Sequence, residues 1–120
     1  MVKPKIFIFD TKETLEVYEV LLDLFEIEVK GTPPESINGI SGIILHSPPM
    51  ESLSILKLIK QAKKKNLPLI IQSSFALPLR SAEDFLNDPS RKDYNYNNVH
   101  YTTSNEERFR NLLKKLVYTS

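Results

Sequence analysis

The sequence contains no cysteine, which removes disulfides, thiolate nucleophiles and cysteine-based zinc sites together and points to a reducing compartment, the cytoplasm. An excess of charge is also missing. Sixteen Lys and Arg stand against 15 Asp and Glu, a formal net charge of +1, so no global field draws the chain to nucleic acid or to an anionic membrane. Any partner must be recognised locally. The longest apolar runs, such as residues 6 to 9, fall far short of the roughly 20 residues that span a bilayer, and no charged-then-apolar leader precedes them. Glycine is scarce, and none of the 3 present stands in a G-x-G-x-x-G or P-loop pattern, which leaves nucleotide binding without a motif.

What the chain does contain is an ordinary globular balance, with 41% hydrophobic and 26% charged residues over 120 positions. That length buries the core of one domain and is too short for two, so a single domain over residues 1 to 120 is expected. The opening KIFIFD is apolar on both faces and closed by an acid, the pattern of a central parallel strand ending at Asp10. From Thr11 the period changes. Leu15, Tyr18, Leu22 and Phe25, with Leu21 beside them, line one face of a predicted amphipathic helix, while Glu13, Glu16, Glu19 and Asp23 line the other. A short strand over 27 to 29 is closed by Gly31 and the Pro33-Pro34 pair, and the stretch up to Asn38 reads as a loop or a single helical turn.

The apolar run from Gly42 to Leu45, closed by His46 and Ser47 and broken by Pro48 and Pro49, is the third strand. Leu53, Leu56, Ile59 and Ala62, widened by Ile55, then recur at helical spacing. That helix ends in Lys63, Lys64 and Lys65, whose charges suit its negative end, with Asn66 as the stop. LPLIIQSS supplies strand four. Ser81 with Asp84 resembles a capping box and predicts a short helix from Ser81 through Leu86. Residues 87 to 98 are dense in turn formers and read as a surface loop that offers Tyr94 and Tyr96 for contact. VHYT over 99 to 102 is strand five, and a capping box at Ser104 and Glu107 opens a closing helix carried by Phe109, Leu112, Leu113 and Leu116.

Alternating strand and helix units of this kind give, through right-handed crossovers, a doubly wound α/β fold with helices on both faces of a parallel sheet. Ligands and reactive groups in such sheets gather beyond the carboxyl ends of the strands. Here those positions are Asp10, Thr11, His46, Ser47, Ser73, Ser74, Thr102 and Thr103.

This order of units, with FDTKETLEVYEVLLDLFEIEV in the slot of the first helix and IILHSPPMESLSILKLIKQ around the third strand, resembles the receiver domain of response regulators over the whole chain. The resemblance implies a flavodoxin-like five-stranded parallel sheet, (βα)5, in the order 2-1-3-4-5. It also implies a phosphoryl-accepting aspartate after strand three, an acidic pair after strand one that holds Mg²⁺, a hydroxyl after strand four and a lysine after strand five. Asp10 keeps the first acid and Ser73 the hydroxyl, but Thr11 stands in place of the second acid, His46 in place of the acceptor and Thr102 in place of the lysine. Phosphoryl transfer to a carboxylate needs a metal held by several hard oxygens. With acceptor, metal site and counter-charge missing together, the chain resembles a degenerate receiver, a signalling module working without phosphorylation. Receivers signal through the face made by the fourth helix, fifth strand and fifth helix, which here implies Phe85, Tyr94, Tyr96, Tyr101 and Arg108 as contacts for a protein partner or a second copy.

A second resemblance leads to a different class. FDTKETL is similar to the first motif of haloacid dehalogenase-type phosphatases, with Asp10 as nucleophile, Thr14 and Leu15 following, and Ser73 or Ser74 as the second-motif hydroxyl. Lys12 replaces the acid that should act as general acid and base, and no acidic pair follows a later strand. His46 is able to accept a phosphoryl group or bind a metal, yet His100 is the only other histidine and no acid stands at ligand spacing, so a structural role is the expectation. Asp10 either binds a cation or caps the following turn. The lysines of the helix over Lys57 to Lys65 read as a solvated face, and binding of a flavin rests on fold analogy alone. The expectation is therefore a module that needs no cofactor or metal, catalyses nothing, and binds protein rather than nucleic acid or membrane.

Overall fold

A computed structural model describes residues 2–13, 15–103 and 106–118, with the side chain of Glu106 set aside. Five strands form one parallel sheet: β1 (Lys5–Phe9), β2 (Glu26–Lys30), β3 (Ile40–His46), β4 (Leu69–Gln72) and β5 (Val99–Thr102). Their order is β2-β1-β3-β4-β5, the flavodoxin-like arrangement expected from the sequence. The α-helices are α1 (Leu53–Lys65), α2 (Ala76–Asn87) and α3 (Glu106–Tyr118). Among the described residues no helix is long and apolar enough to cross a membrane.

Because successive side chains of a strand point to opposite faces, the apolar runs divide between two cores. Phe7, Phe9, Ile43, Leu45, Leu69 and Ile71 meet Ile55, Leu58, Ile59 and Ala62 of α1 and Ala82 and Leu86 of α2 on one face. Ile6, Ile8, Ile44 and Ile70 meet Tyr18, Leu21, Phe25, Phe109 and Leu113 on the other. Strands buried on both faces have no reason to alternate, which is why KIFIF and GIIL read as unbroken hydrophobic stretches.

Several expectations are corrected. The amphipathic helix after β1 is a 3-10 helix, Leu15–Leu21. Its buried residues, Tyr18 and Leu21, are three apart, the period at which a 3-10 helix stacks its side chains. Leu15 stays 43% exposed and Leu22 only half-buried, so the predicted face survives at Tyr18, Leu21 and Phe25. On α1 the buried stripe runs through Ile55, Leu58, Ile59 and Ala62, and Leu53 points outward at 82% exposed. Asn66 stops the helix as expected, in the left-handed region at φ 51°, with its N–H on the carbonyls of Ala62 and Lys63.

Helix α2 begins at Ala76, five positions before Ser81, so Ser81 and Asp84 lie inside the helix and form no capping box. Pro78 is tolerated because it falls in the first turn, where its missing N–H costs nothing. The capping box proposed at Ser104 lies outside the described residues. Helix α3 is tied to the opposite end of the chain: Arg110 pairs with Asp23 at 2.5 Å, the Tyr118 hydroxyl donates to the Leu24 carbonyl at 2.7 Å, and the rings of Phe25 and Tyr118 meet at 5.6 Å. Residues 31 to 39 connect β2 to β3 as a loop without a helix, as the glycine and proline punctuation implies.

Ile44 is fully buried on the central strand. Ile44→Ala should lower unfolding free energy by about 2–5 kcal/mol, the range for a large-to-small change in a packed core, read as a lower urea midpoint at unchanged slope.

Candidate functional site

The strand ends do bring the sequence-predicted residues to one edge. Register pairs His46 with Gln72 and Gln72 with Thr102, while Asp10 stands one position past the Phe9–Leu45 pair. The side chains of Asp10, His46 and Ser73, however, are bonded to neighbours of the same chain.

Asp10 is only 4% exposed. Its Oδ1 accepts the Lys12 N–H at 3.0 Å and its Oδ2 accepts the Tyr18 hydroxyl at 2.8 Å. Its own N–H donates to the Lys30 carbonyl at 2.9 Å, and its carbonyl accepts from Glu13 at 3.0 Å. The acid therefore ties the end of β1 to the end of β2 and to the 3-10 helix. Glu13, at φ 50°, turns back so that its Oε1 accepts the Gly31 N–H at 2.9 Å, closing the same corner. Thr11 and Lys12 are exposed. Thr14, invoked by the phosphatase resemblance, lies outside the described residues.

The His46 ring, half-buried, bonds through Nδ1 to the Gln72 side-chain oxygen on the neighbouring strand. Ser47 leaves β3 at φ 44° and donates its N–H to the Gln72 carbonyl at 2.8 Å. Ser73 is 3% exposed, its Oγ accepting the Phe75 N–H at 3.3 Å and its N–H reaching the Thr102 carbonyl at 3.2 Å. Thr102 is likewise buried. Among the described residues no group of three or more His, Cys, Asp or Glu is placed to hold a metal ion.

The residues implied as partner contacts are spread along the α2, β5 and α3 side and are mostly engaged. Phe85 is half-buried beneath the Arg91 guanidinium, 3.8 Å from the ring centroid. Tyr94, Tyr96 and Tyr101 are half-buried against the α1 and α2 core. The Tyr96 hydroxyl donates to the Leu67 carbonyl at 2.7 Å, and burial pushes its pKa up. Tyr101 is pushed up to about 12, by burial first and by Glu83 second. Arg108, on α3, is exposed.

Two features escaped the sequence reading. One is Tyr18, visible there only as a member of an apolar stripe. The other is a cleft of about 320 Å³ between the β3 and β4 exits and α2, lined by Pro48, Met50, Ile71, Leu79, Ala82 and Phe85 together with Glu51 and several hydroxyls. Its walls come from loops and a helix whose bounds the sequence misplaced. No protein-family model matches the chain, and no curated protein matches it.

Tyr18→Phe removes the donor on a buried carboxylate oxygen and should cost about 1–3 kcal/mol, read by urea unfolding. The tyrosines also set an alkaline limit. Burial, the Asp10 bond and the Asp10 charge raise the Tyr18 pKa above the ordinary 10.0. The folded state thus holds the proton more tightly than the unfolded one. The resulting stability is complete below pH 10.0 and is lost as pH rises toward the folded values, near 12 for Tyr101. Stability measured against pH should be insensitive to these groups below pH 10.0 and fall beyond it, less steeply in Tyr18→Phe.

Proposed function

We propose that this chain is a receiver-like recognition module that binds a protein partner without phosphorylation as its switch. The observation that carries the reading is the state of Asp10. Its carboxylate, the one acid retained from the receiver pattern, is buried and accepts bonds from Tyr18 and Lys12 of its own chain. A nucleophile or metal ligand at this place needs a free oxygen facing the cleft, whereas both oxygens here serve to cap the turn after β1. His46, in the acceptor position, is held by Gln72.

Recognition needs accessible apolar surface, and the loop after β4 together with the first turns of α1 and α2 supplies it. Leu53, Phe75 and Leu77 are 82%, 72% and 75% exposed. Each stands within a few positions of residues lining the 320 Å³ cleft, so apolar side chains and an apolar cleft share one edge of the sheet. Large apolar residues left outside at one edge mark a docking surface.

The direct test is an amide NMR titration of the labelled chain with Mg²⁺ and then beryllofluoride, a mimic of an acyl phosphate. Resonances of Asp10, Thr11 and Lys12 should stay in place. Mg²⁺-dependent shifts there, or phosphatase turnover abolished by Asp10→Asn, would replace this reading with phosphoryl chemistry.

A further inference from the structure

The connection from β2 to β3 runs through residues 31 to 39 as a loop, where a doubly wound fold ordinarily packs a crossover helix beside the helix that follows β3. The space left is visible along α1. Two clefts, of about 240 and 190 Å³, both take Glu35 and Gln61 into their walls and so adjoin one another. Together they form a groove between the loop and one flank of α1, from Ser54 and Lys57 at one end to Lys64 and Lys65 at the other. Its floor includes Ile37 and Leu58, which are 4% and 2% exposed. At 1.5 Å per residue, the stretch from 54 to 65 is roughly 16 Å, about three helical turns.

The charge of this flank is one-sided. Helix α1 contains five lysines and no acid over Leu53–Lys65, although the whole chain carries a net +1. Among the described residues none of the ion pairs involves an α1 lysine; the pairs join Lys5 to Glu28, Arg91 to Asp88 and Arg110 to Asp23. Lys63 and Lys65 instead bond to neutral oxygens, the Lys92 carbonyl and the Asn38 side chain, at 2.8 and 2.7 Å. Lys57, Lys60 and Lys64 are exposed, and Leu53, four residues before Lys57, adds an outward apolar side chain at the amino end of the same helix. Residues at i, i+4, i+7 and i+11 share one side of a helix, so Leu53, Lys57, Lys60 and Lys64 face the same way.

We propose that this groove takes an acidic amphipathic helix of a partner protein, seated where the crossover helix is absent. Carboxylates at i, i+7 spacing on that helix meet Lys57 and Lys64, which line the groove seven residues apart on α1. A helix is chosen because the groove runs along α1 for about three turns; charge selects acid, because Lys57, Lys64 and Lys65 line it and, among the described residues of its walls, Glu35 is the one carboxylate. The inference rests on the reading of the chain as a protein-recognition module and narrows it to one partner chemistry.

The test titrates the labelled chain with a blocked, Ala/Leu-based helical peptide of about four turns carrying Glu at i, i+7 spacing, beside the same peptide with Lys for Glu. The acidic peptide should shift amides of α1 and residues 33 to 38 saturably, weakening several-fold between about 50 and 500 mM salt as rim charges are screened. The Lys peptide should shift nothing. Lys57→Glu/Lys64→Glu, at exposed positions, should fold with an otherwise unchanged spectrum and bind the acidic peptide at least about tenfold more weakly.

No saturable shift with the acidic peptide would overturn the proposal. So would equal shifts with heparin, which would make the flank a general polyanion surface, or peptide-free shifts of α1 that grow with protein concentration, which would make the occupant a second copy. Any of these would leave the phosphorylation-independent reading standing, since that is decided by the Asp10 resonances in Mg²⁺ and beryllofluoride.

Discussion

The hydrogen bond from Tyr18 to Asp10 joins the architecture of this protein to the question of what it does. Strand β1 is buried on both faces, so the acid that ends it emerges where little water reaches. An unsatisfied polar group in such a place costs several kcal/mol, and a charged one more. Two arrangements relieve that cost: a cation bound in a functional cleft, or donors drawn from the chain itself. This chain takes the second, supplying a hydroxyl eight residues on and a backbone N–H two residues on. Local structure follows from that choice, because bringing the hydroxyl of Tyr18 back over the strand end while burying Leu21 and Phe25 fits the tight 3-10 turn better than an open α-helix. The same corner then fixes Glu13 on Gly31 and thereby the exit of β2.

How far the sequence predicts this structure depends on which physical signal each element carries. The strands were legible because parallel strands covered on both faces must be continuously apolar, and four or five such residues flanked by Gly, Pro or polar groups have few other uses. Handedness and the alternation of units lead to a doubly wound parallel sheet, and the strand order is what the resemblance to receivers implies. Helix faces were harder to read. Leu53 and Leu15 fit an apolar stripe on paper but stand outside it, since a stripe of width 100° or more leaves its edge residues free to fall on either side of the boundary. The start of helix α2 is hard to read because ALPL contains a proline and Phe75 offers no side-chain cap; the proline is compatible with the helix only because it falls in the first turn.

The candidate site was legible as a set of positions and illegible as chemistry. Asp10, His46, Ser73 and Thr102 do share the carboxyl edge, as topology requires of residues that end parallel strands. Whether a polar side chain at that edge faces a ligand or a neighbour is settled by distances of about an ångström, which spacing along a chain does not encode. Gln72 shows the point. It reads as the first polar residue after LPLII, yet it is the group that engages His46 through its side chain and Ser47 through its carbonyl.

Near-neutral composition conceals a second level of organisation. Helix α1 carries five lysines and no acid over Leu53–Lys65 within a chain of net charge +1, so its positive charge is local. Fields of this kind cancel at long range and persist within a Debye length of about 8 Å at physiological salt, which suits short-range discrimination between partners rather than long-range capture. The two departures from the doubly wound pattern then act in the same direction. Asp10 and His46 are taken up by hydrogen bonds within the chain at the carboxyl edge, and the loop over residues 31 to 39 stands in place of the second crossover helix. Both bear on the proposed function: an acid already bonded within the chain and clefts beside a lysine-rich helix are what favour recognition of a macromolecular surface over phosphoryl chemistry in that reading.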